Sequence, residues 1–227
     1  MLTAFQETIM SVVSQVTEPK GFALAGGGAL ILKGLVDRHT RDLDFFTRDA
    51  DSVNQICPAV EAALRAAGMS VERRVDAPGF IRLEVSRDHD MCEVDLGHDA
   101  RLQPEEPSAL GPVLATEELA ADKTLALFGR AAARDFVDVY SLVQLFGEDR
   151  LCELAVQKDH GFDKHHFADA LGAFGRLDRD LFEVDNRTYL SIEEWSRSWH
   201  DRLLQQGIER TAREIPVDRG DDTGLSL

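Results

Sequence analysis

The glycine run Gly26-Gly27-Gly28 is followed by an acidic pair, Asp42 and Asp44, and this order constrains the fold most strongly. The apolar residues 21–25 predict a buried strand, and residues 29–36 predict a helix after the glycine turn. On a strand over 42–47 both aspartates lie on one face, because side chains alternate with a period of two. Glycines let backbone N–H groups approach a phosphate. The two elements together predict a site for a nucleoside triphosphate and its divalent metal ions.

The rest of the chain predicts a mixed first half and a helical second half. Pro104, Pro107, Gly111 and Pro112 mark the boundary. The predicted helices are 3–17, 52–67, 117–130, 134–146, 148–157, 163–174 and 191–206, and the further strands are 69–75, 80–86 and 91–96. Thr116 is the predicted N-cap of the first helix after the boundary. We therefore expect an α/β core over 1–113, a helical domain over 114–214 that completes the active site, and a disordered tail over 215–227.

A third carboxylate is expected from the strand over 91–96. There Glu93 and Asp95 point to the side opposite Val94, and we favour Asp95 over Glu93 as a metal ligand. Mg²⁺ prefers hard oxygen ligands, and a two-metal site needs several carboxylates. The alternative for the Asp-x-Asp pattern alone is an ordinary solvated strand face.

Two separated segments resemble one family. LAGGGALILK…RDLDFFT and the later LATEELAADKTLALFGRAAARDFVDVYSL resemble the AbiEii/AbiGii-type nucleotidyltransferase toxins, a branch of the polymerase-β-like nucleotidyltransferase superfamily. The resemblance covers about residues 20–145. It implies an α+β fold, in which a polymerase-β-like core with a mixed sheet precedes a helical C-terminal region.

The resemblance also implies roles for individual residues. Asp42 and Asp44 match the metal-binding pair, and Asp95 matches the third carboxylate. Lys123 matches a helical lysine that neutralises triphosphate charge or steadies pyrophosphate, and Asp138 matches a late aspartate that acts as an orienting group or base.

The glycine turn matches the family's phosphate-binding turn, with one departure. Gly26 and Gly27 fit the pattern, whereas Gly28 stands where the family often has Ser or Thr, so it could bind phosphate only through its backbone. Without the resemblance, Arg134 and Asp138 would be interpreted as an ordinary i,i+4 ion pair, and Lys123 as a surface lysine.

Composition bounds the location and the chemistry. No apolar run is long enough to cross a bilayer, and no signal peptide is evident, so the expected location is the cytoplasm without a membrane partner. Cys57, Cys92 and Cys152 lack metal-ligand spacing and are expected to be reduced thiols.

The expected reaction moves a nucleoside monophosphate from an NTP to an acceptor hydroxyl, with Mg²⁺ or Mn²⁺ and release of pyrophosphate. The resemblance implies the toxin of a toxin–antitoxin pair, with a cognate antitoxin as partner and the 3′ end of tRNA as acceptor. Such an acceptor needs a basic patch, which we place at Lys33, Arg38, Arg41 and Arg48. The net charge of −16 favours a different acceptor, a cationic aminoglycoside-like molecule. A third alternative is a degenerate protein that binds nucleotide without catalysis.

Overall fold

The computed structural model describes residues 1–214, with side chains through residue 209. Its five strands are β1 (Ala23–Ala25), β2 (Asp42–Thr47), β3 (Ser70–Ala77), β4 (Phe80–Arg87) and β5 (Asp90–His98). They form one sheet in the order β1-β2-β5-β4-β3. Strands β2 and β5 are parallel, and the other neighbours are antiparallel. The predicted α+β class with a mixed sheet is confirmed.

Seven helices accompany the sheet over the described residues. They are α1 (Ala4–Thr17), α2 (Gly26–Leu32), α3 (Ala50–Ala66), α4 (Thr116–Arg130), α5 (Ala133–Lys158), α6 (Lys164–Gly172) and α7 (Asn186–Glu214). None of them is both long and apolar enough to span a membrane. A capping box fixes the start of α1, since the Thr3 hydroxyl accepts from the Gln6 N–H and the Gln6 side chain accepts from the Thr3 N–H.

The alternation of side chains along the central strands separates the core from the site. Leu43 on β2 and Val94 on β5 are fully buried in the hydrophobic core. Their neighbours Asp42, Asp44 and Asp95 lie on the opposite face, which a cleft leaves open. Burial of one face therefore fixes the register, because a slip by one residue would turn the carboxylates into the core.

The connection between α4 and α5 is held by an ion pair. Ala131 adopts a left-handed conformation with φ 46°, so the chain turns sharply there. The Arg130 guanidinium donates to both oxygens of the buried Asp135 carboxylate, at 2.8 Å each. Helix α5 itself is interrupted at Gly147 (φ 74°, ψ 161°), where the sequence predicts two helices.

The segment between the two predicted domains is tied to the sheet. The Leu24 N–H donates to the Pro112 carbonyl, and the Leu114 N–H donates to the Leu24 carbonyl, both at 2.9 Å. Buried residues on both sides of position 113 belong to one hydrophobic cluster. The division at 113 stays a prediction, and residues 215–227 lie outside the described residues.

The starts of α2, α4 and α7 differ from the prediction, and α7 begins at Asn186 and not at 191. Helix α2 begins at Gly26 rather than at 29, because the glycines adopt the helical turn themselves. Thr116 is the first residue of α4 and not its N-cap, since Ala115 holds that position without a side-chain hydrogen bond.

Candidate active site

Three aspartates meet on the open face of the sheet. Asp42 and Asp44 come from β2, and Asp95 from β5 lies directly opposite Asp44 across the parallel pair. The Thr40 hydroxyl donates to Asp42 Oδ1 at 2.5 Å. Burial and the neighbouring Asp42 charge raise the pKa of Asp44 to about 6. Because Asp42 and Asp95 repel the Asp44 carboxylate, a bound cation would stabilise its ionised form.

The glycine turn lies directly against the aspartates. Gly26 has φ 61°, and a Cβ at this position would be only 1.8 Å from Asp44 Oδ2. A Cβ at Gly27 would be 2.8 Å from Arg38 Nη2. Any side chain here would therefore collide with the site, which explains both glycines physically. No side chain caps the N-terminus of α2, whose first N–H groups lie in this turn.

Gly28 differs from the two glycines before it. A Cβ there would be 2.9 Å from Leu43 Cδ2, on the core side of the turn. The residue is buried and does not line the cleft, unlike Gly26 and Gly27. A side chain at position 28 would therefore point to the core and not into the cleft.

Asp138 is enclosed by two cations. The Arg38 guanidinium donates to both of its oxygens at 2.7 Å, and Lys123 Nζ lies 2.9 Å from Oδ2. Burial opposes the ionised form of Asp138, but the charges of Lys123 and Arg38 outweigh it and lower the pKa of Asp138. The i,i+4 pair with Arg134 is not formed; Arg134 instead approaches Asp42, with 3.7 Å between Nη1 and Oδ2.

Asp95 has a partner that the sequence analysis missed. Arg82 on β4 donates to both Asp95 oxygens, at 2.8 Å from Nε and 2.6 Å from Nη2. The antiparallel register of β4 and β5 places these two residues directly opposite each other. The alternation of side chains along β4 could have predicted which face of the sheet Arg82 lies on. Only the register between β4 and β5 shows that its partner is Asp95.

A second acidic group adjoins the cleft. The carboxylates of Asp99, Glu118 and Asp122 come within 4.8 Å of one another. The Lys158 ammonium contacts all three, at 2.7 Å from Asp99 Oδ2 and from Glu118 Oε1. These opposite charges raise the pKa of Lys158 although its burial acts in the other direction. The ammonium supplies the cation that this group needs, and sequence analysis gave no indication of it.

The cleft above the aspartates has a volume of about 350 Å³. Its charged lining residues balance, with five acidic and five basic side chains: Asp42, Asp44, Asp95, Asp99, Asp122, Arg38, Arg82, Lys123, Arg130 and Arg134. The net charge of −16 is therefore not concentrated here. The cleft is lined by all the residues predicted to bind metal or nucleotide except Gly28. The lining residues from that prediction are Asp42, Asp44, Asp95, Gly26, Gly27 and Lys123.

The predicted basic patch does not form as one surface. Arg38 is buried against Asp138, and Lys33 forms an ion pair with Glu106. Arg48 donates to the Gln103 carbonyl at 3.1 Å. Of the four residues, Arg41 is exposed and has no ion pair among the described side chains.

Comparison with solved structures supports the fold. The chain is similar to JHP933 from Helicobacter pylori, with a TM-score of 0.57 and 18% identity over 95% of this chain and 100% of that one. A second structure, described as a candidate nucleotidyltransferase from H. pylori, gives a TM-score of 0.55 and 17% identity over 90% and 99% of the two chains. A search of curated protein sequences found no relative.

A mixed sheet that presents paired aspartates beside a glycine turn is the arrangement of a nucleotidyltransferase, and this chain is one. The family model described as "Nucleotidyl transferase AbiEii toxin, Type IV TA system" matches residues 8–216. The chain belongs to this AbiEii family, as the motifs around Asp42 and Asp138 indicate.

Proposed function

We propose that this chain transfers a nucleoside monophosphate from an NTP to the hydroxyl at the 3′ end of a tRNA. The observation that carries the proposal is the convergence of Asp42, Asp44 and Asp95 beside the Gly26 turn and Lys123 in one cleft. The family description supports a further role as the toxin of a toxin–antitoxin system, with a cognate antitoxin as partner.

Asp42, Asp44 and Asp95 are the proposed ligands of Mg²⁺ or Mn²⁺. Their oxygen chemistry and the raised pKa of Asp44 fit a hard divalent cation. Such an ion, when bound, neutralises triphosphate charge and increases the nucleophilicity of the acceptor hydroxyl.

The chain's own residues bind and orient the donor. In this proposal the N–H groups of Gly26 and Gly27 donate to phosphate oxygens at the start of α2, where no side chain caps the helix. Lys123 is buried in the wall of the cleft, and in this proposal its ammonium stabilises the negative charge of the leaving pyrophosphate. Since Asp138 already accepts from Arg38 and pairs with Lys123, we assign it an orienting role and not that of a base.

The balanced charge of the cleft gives no preference for a cationic acceptor. The overall charge of −16 favours a cationic aminoglycoside-like acceptor, but five basic side chains line the site itself. The three aspartates are all retained, which argues against a degenerate, non-catalytic protein.

The test is incubation of the purified protein with Mg²⁺, each α-labelled NTP and total tRNA, followed by a denaturing gel. We expect label on tRNA and none on tRNA whose 3′-terminal ribose has been oxidised with periodate. Labelling of the oxidised tRNA would exclude the 3′ hydroxyl. Transfer to an aminoglycoside, with none to tRNA, would establish the alternative acceptor.

Arg82 provides a test of the metal ligands without turnover. Its guanidinium holds both oxygens of Asp95, so it competes with a metal ion for that carboxylate. We expect Arg82→Gln to lower the Kd for Mn²⁺ by about three- to tenfold in calorimetry without nucleotide, on the order of 1 kcal/mol. Arg74→Gln, which breaks an exposed pair with Glu84 on the same sheet, should leave the Kd unchanged. If the Kd for Mn²⁺ of Arg82→Gln is unchanged or higher than that of the wild type, Asp95 is not a metal ligand.

A further inference from the structure

A second cleft opens beside the first and remains without a role in donor binding. It lies between the segment that precedes β2, the beginning of α5 and the short 3-10 helix Arg179–Phe182, and it measures about 350 Å³. Arg38 and Arg134 line both clefts. Arg134 Nη1 is 3.7 Å from Asp42 Oδ2, so this side chain lies between the second cleft and the aspartates.

The polar wall of the second cleft is basic. Arg41 and His39 are exposed there, and Arg134 is about half exposed. The Glu93 N–H on β5 donates to the Arg41 carbonyl at 3.1 Å, which fixes the backbone of Arg41 just before β2 begins. Among the described lining residues only Glu183 is acidic. In a protein with a net charge of −16, such a basic wall favours an anionic ligand.

The opposite wall is apolar. Leu181 is 60% exposed, and Leu177 is partly buried beside it. Phe182, fully buried beneath them, packs on Phe174 and Tyr189 and so anchors the short helix. The exposed Leu181 and an Arg41 side chain that has no ion pair among the described residues line one cleft. Together they fit a ligand that has both phosphates and flat apolar rings, as a single-stranded nucleic acid has.

We propose that the second cleft holds the single-stranded 3′ end of the acceptor RNA, with phosphate contacts from Arg41 and base contacts from Leu181. This inference rests on the proposed function, because it assumes that the donor NTP occupies the first cleft. The two substrates would then meet at Asp42, which both clefts reach through Arg134. A cationic small-molecule acceptor would be repelled by the same wall.

The test compares Arg41→Gln and Leu181→Ser with two matched controls, Arg197→Gln and Leu145→Ser. Arg197 lies on α7 with a side chain 66% exposed, and Leu145 lies on α5 and is 59% exposed, close to Leu181. For each protein, the Kd for tRNA is measured by fluorescence anisotropy over a range of salt concentrations. The Kd for a non-hydrolysable NTP is measured with the same samples.

Each variant has its own expected signature. Arg41→Gln should weaken tRNA binding and reduce the slope of log Kd against log salt by about 1, since one phosphate contact is lost. Leu181→Ser should raise the Kd for tRNA by roughly three- to tenfold without changing the slope of log Kd against log salt. Both variants should bind the NTP as the wild type does, and both controls should behave as the wild type throughout.

The outcomes separate this inference from the proposed function. If the wild type labels tRNA and both variants bind it with unchanged Kd and slope, the second cleft is not the acceptor site. If the wild type labels no RNA at all, the proposed function itself fails. Because the replaced side chains are exposed, thermal melts should show all four variants to be as stable as the wild type, so that lost binding reports on contact and not on unfolding.

Discussion

Replacing Asp44 with asparagine should reduce nucleotidyl transfer by roughly 10³-fold or more, a loss of about 4 kcal/mol of transition-state stabilisation. Asp44 lies at the centre of the three aspartates and directly against Gly26, so no other described carboxylate can take its place. The measurement is the initial rate of label transfer to tRNA at saturating NTP and Mg²⁺.

The same substitution should not destabilise the protein. Burial and the charge of Asp42 raise the pKa of Asp44 to about 6, so at pH 7 the carboxyl is still mostly ionised, and folding places that charge in a less favourable environment than the unfolded chain does. Neutral asparagine removes that repulsion, and we expect an unchanged or higher melting temperature. A fall in melting temperature together with the lost activity would attribute the loss to misfolding.

Asp51→Asn is the matched control for Asp44→Asn. Asp51 is exposed in the first turn of α3 and lies outside the cleft, so its replacement should leave the transfer rate unchanged.

Expression in cells gives a second comparison of the same variants. Growth arrest by the wild type and by the Asp51 variant, but not by the Asp44 variant, would support the toxin role. Full transfer by the Asp44 variant would contradict the metal-site proposal.

Asp138→Ala should destabilise the fold by about 3–5 kcal/mol, the usual cost of breaking a buried ion pair. The carboxylate is fully buried, and its removal leaves the side chains of Arg38 and Lys123 charged and buried at 6% and 8% exposure. The free energy of unfolding, measured by urea denaturation, tests this expectation. Asp149→Ala on the same helix, with a side chain 94% exposed, is the control and should change stability by less than about 0.5 kcal/mol.

A double-mutant cycle distinguishes the ion pair from a simple packing defect. Lys123→Met alone leaves Asp138 with one cation fewer, whereas in the Asp138→Asn background it removes a cation that has lost its partner. We therefore expect Lys123→Met to cost clearly less in that background, with a coupling energy of about 0.5–3 kcal/mol. Strictly additive effects would show that the contact contributes no interaction energy of its own.

The periodic segments were predicted well because local patterning decides them. Strand β2 was predicted over its observed range, and the break in α5 at Gly147 falls between two predicted helices. The first residues of α2 and α4 were predicted wrongly, because each helix start depends on backbone geometry that the apolar pattern does not specify.

The partners of the charged residues could not be predicted from the sequence. Arg38 was assigned to a surface patch, yet it crosses the site to reach Asp138, a hundred residues further along the chain. Lys158 likewise pairs with an acidic group whose members come from the segment after β5 and from α4. Ion pairs of this kind depend on which elements pack together, and the spacing of residues along the sequence does not predict that packing.

The sequence by itself determined the class of fold, the two aspartates that share a strand face, and the glycine turn before them. The class of fold follows from the resemblance to a known family. The aspartates and the turn follow from the period of two along a strand and from the conformational freedom of glycine, which act over a few residues. The tertiary structure alone decided that Arg82 meets Asp95, that Asp138 is enclosed by cations, and that Arg41 and Leu181 line the same second cleft. Such contacts join distant segments, and they exist only once the sheet register and the packing of α4 and α5 bring those segments together.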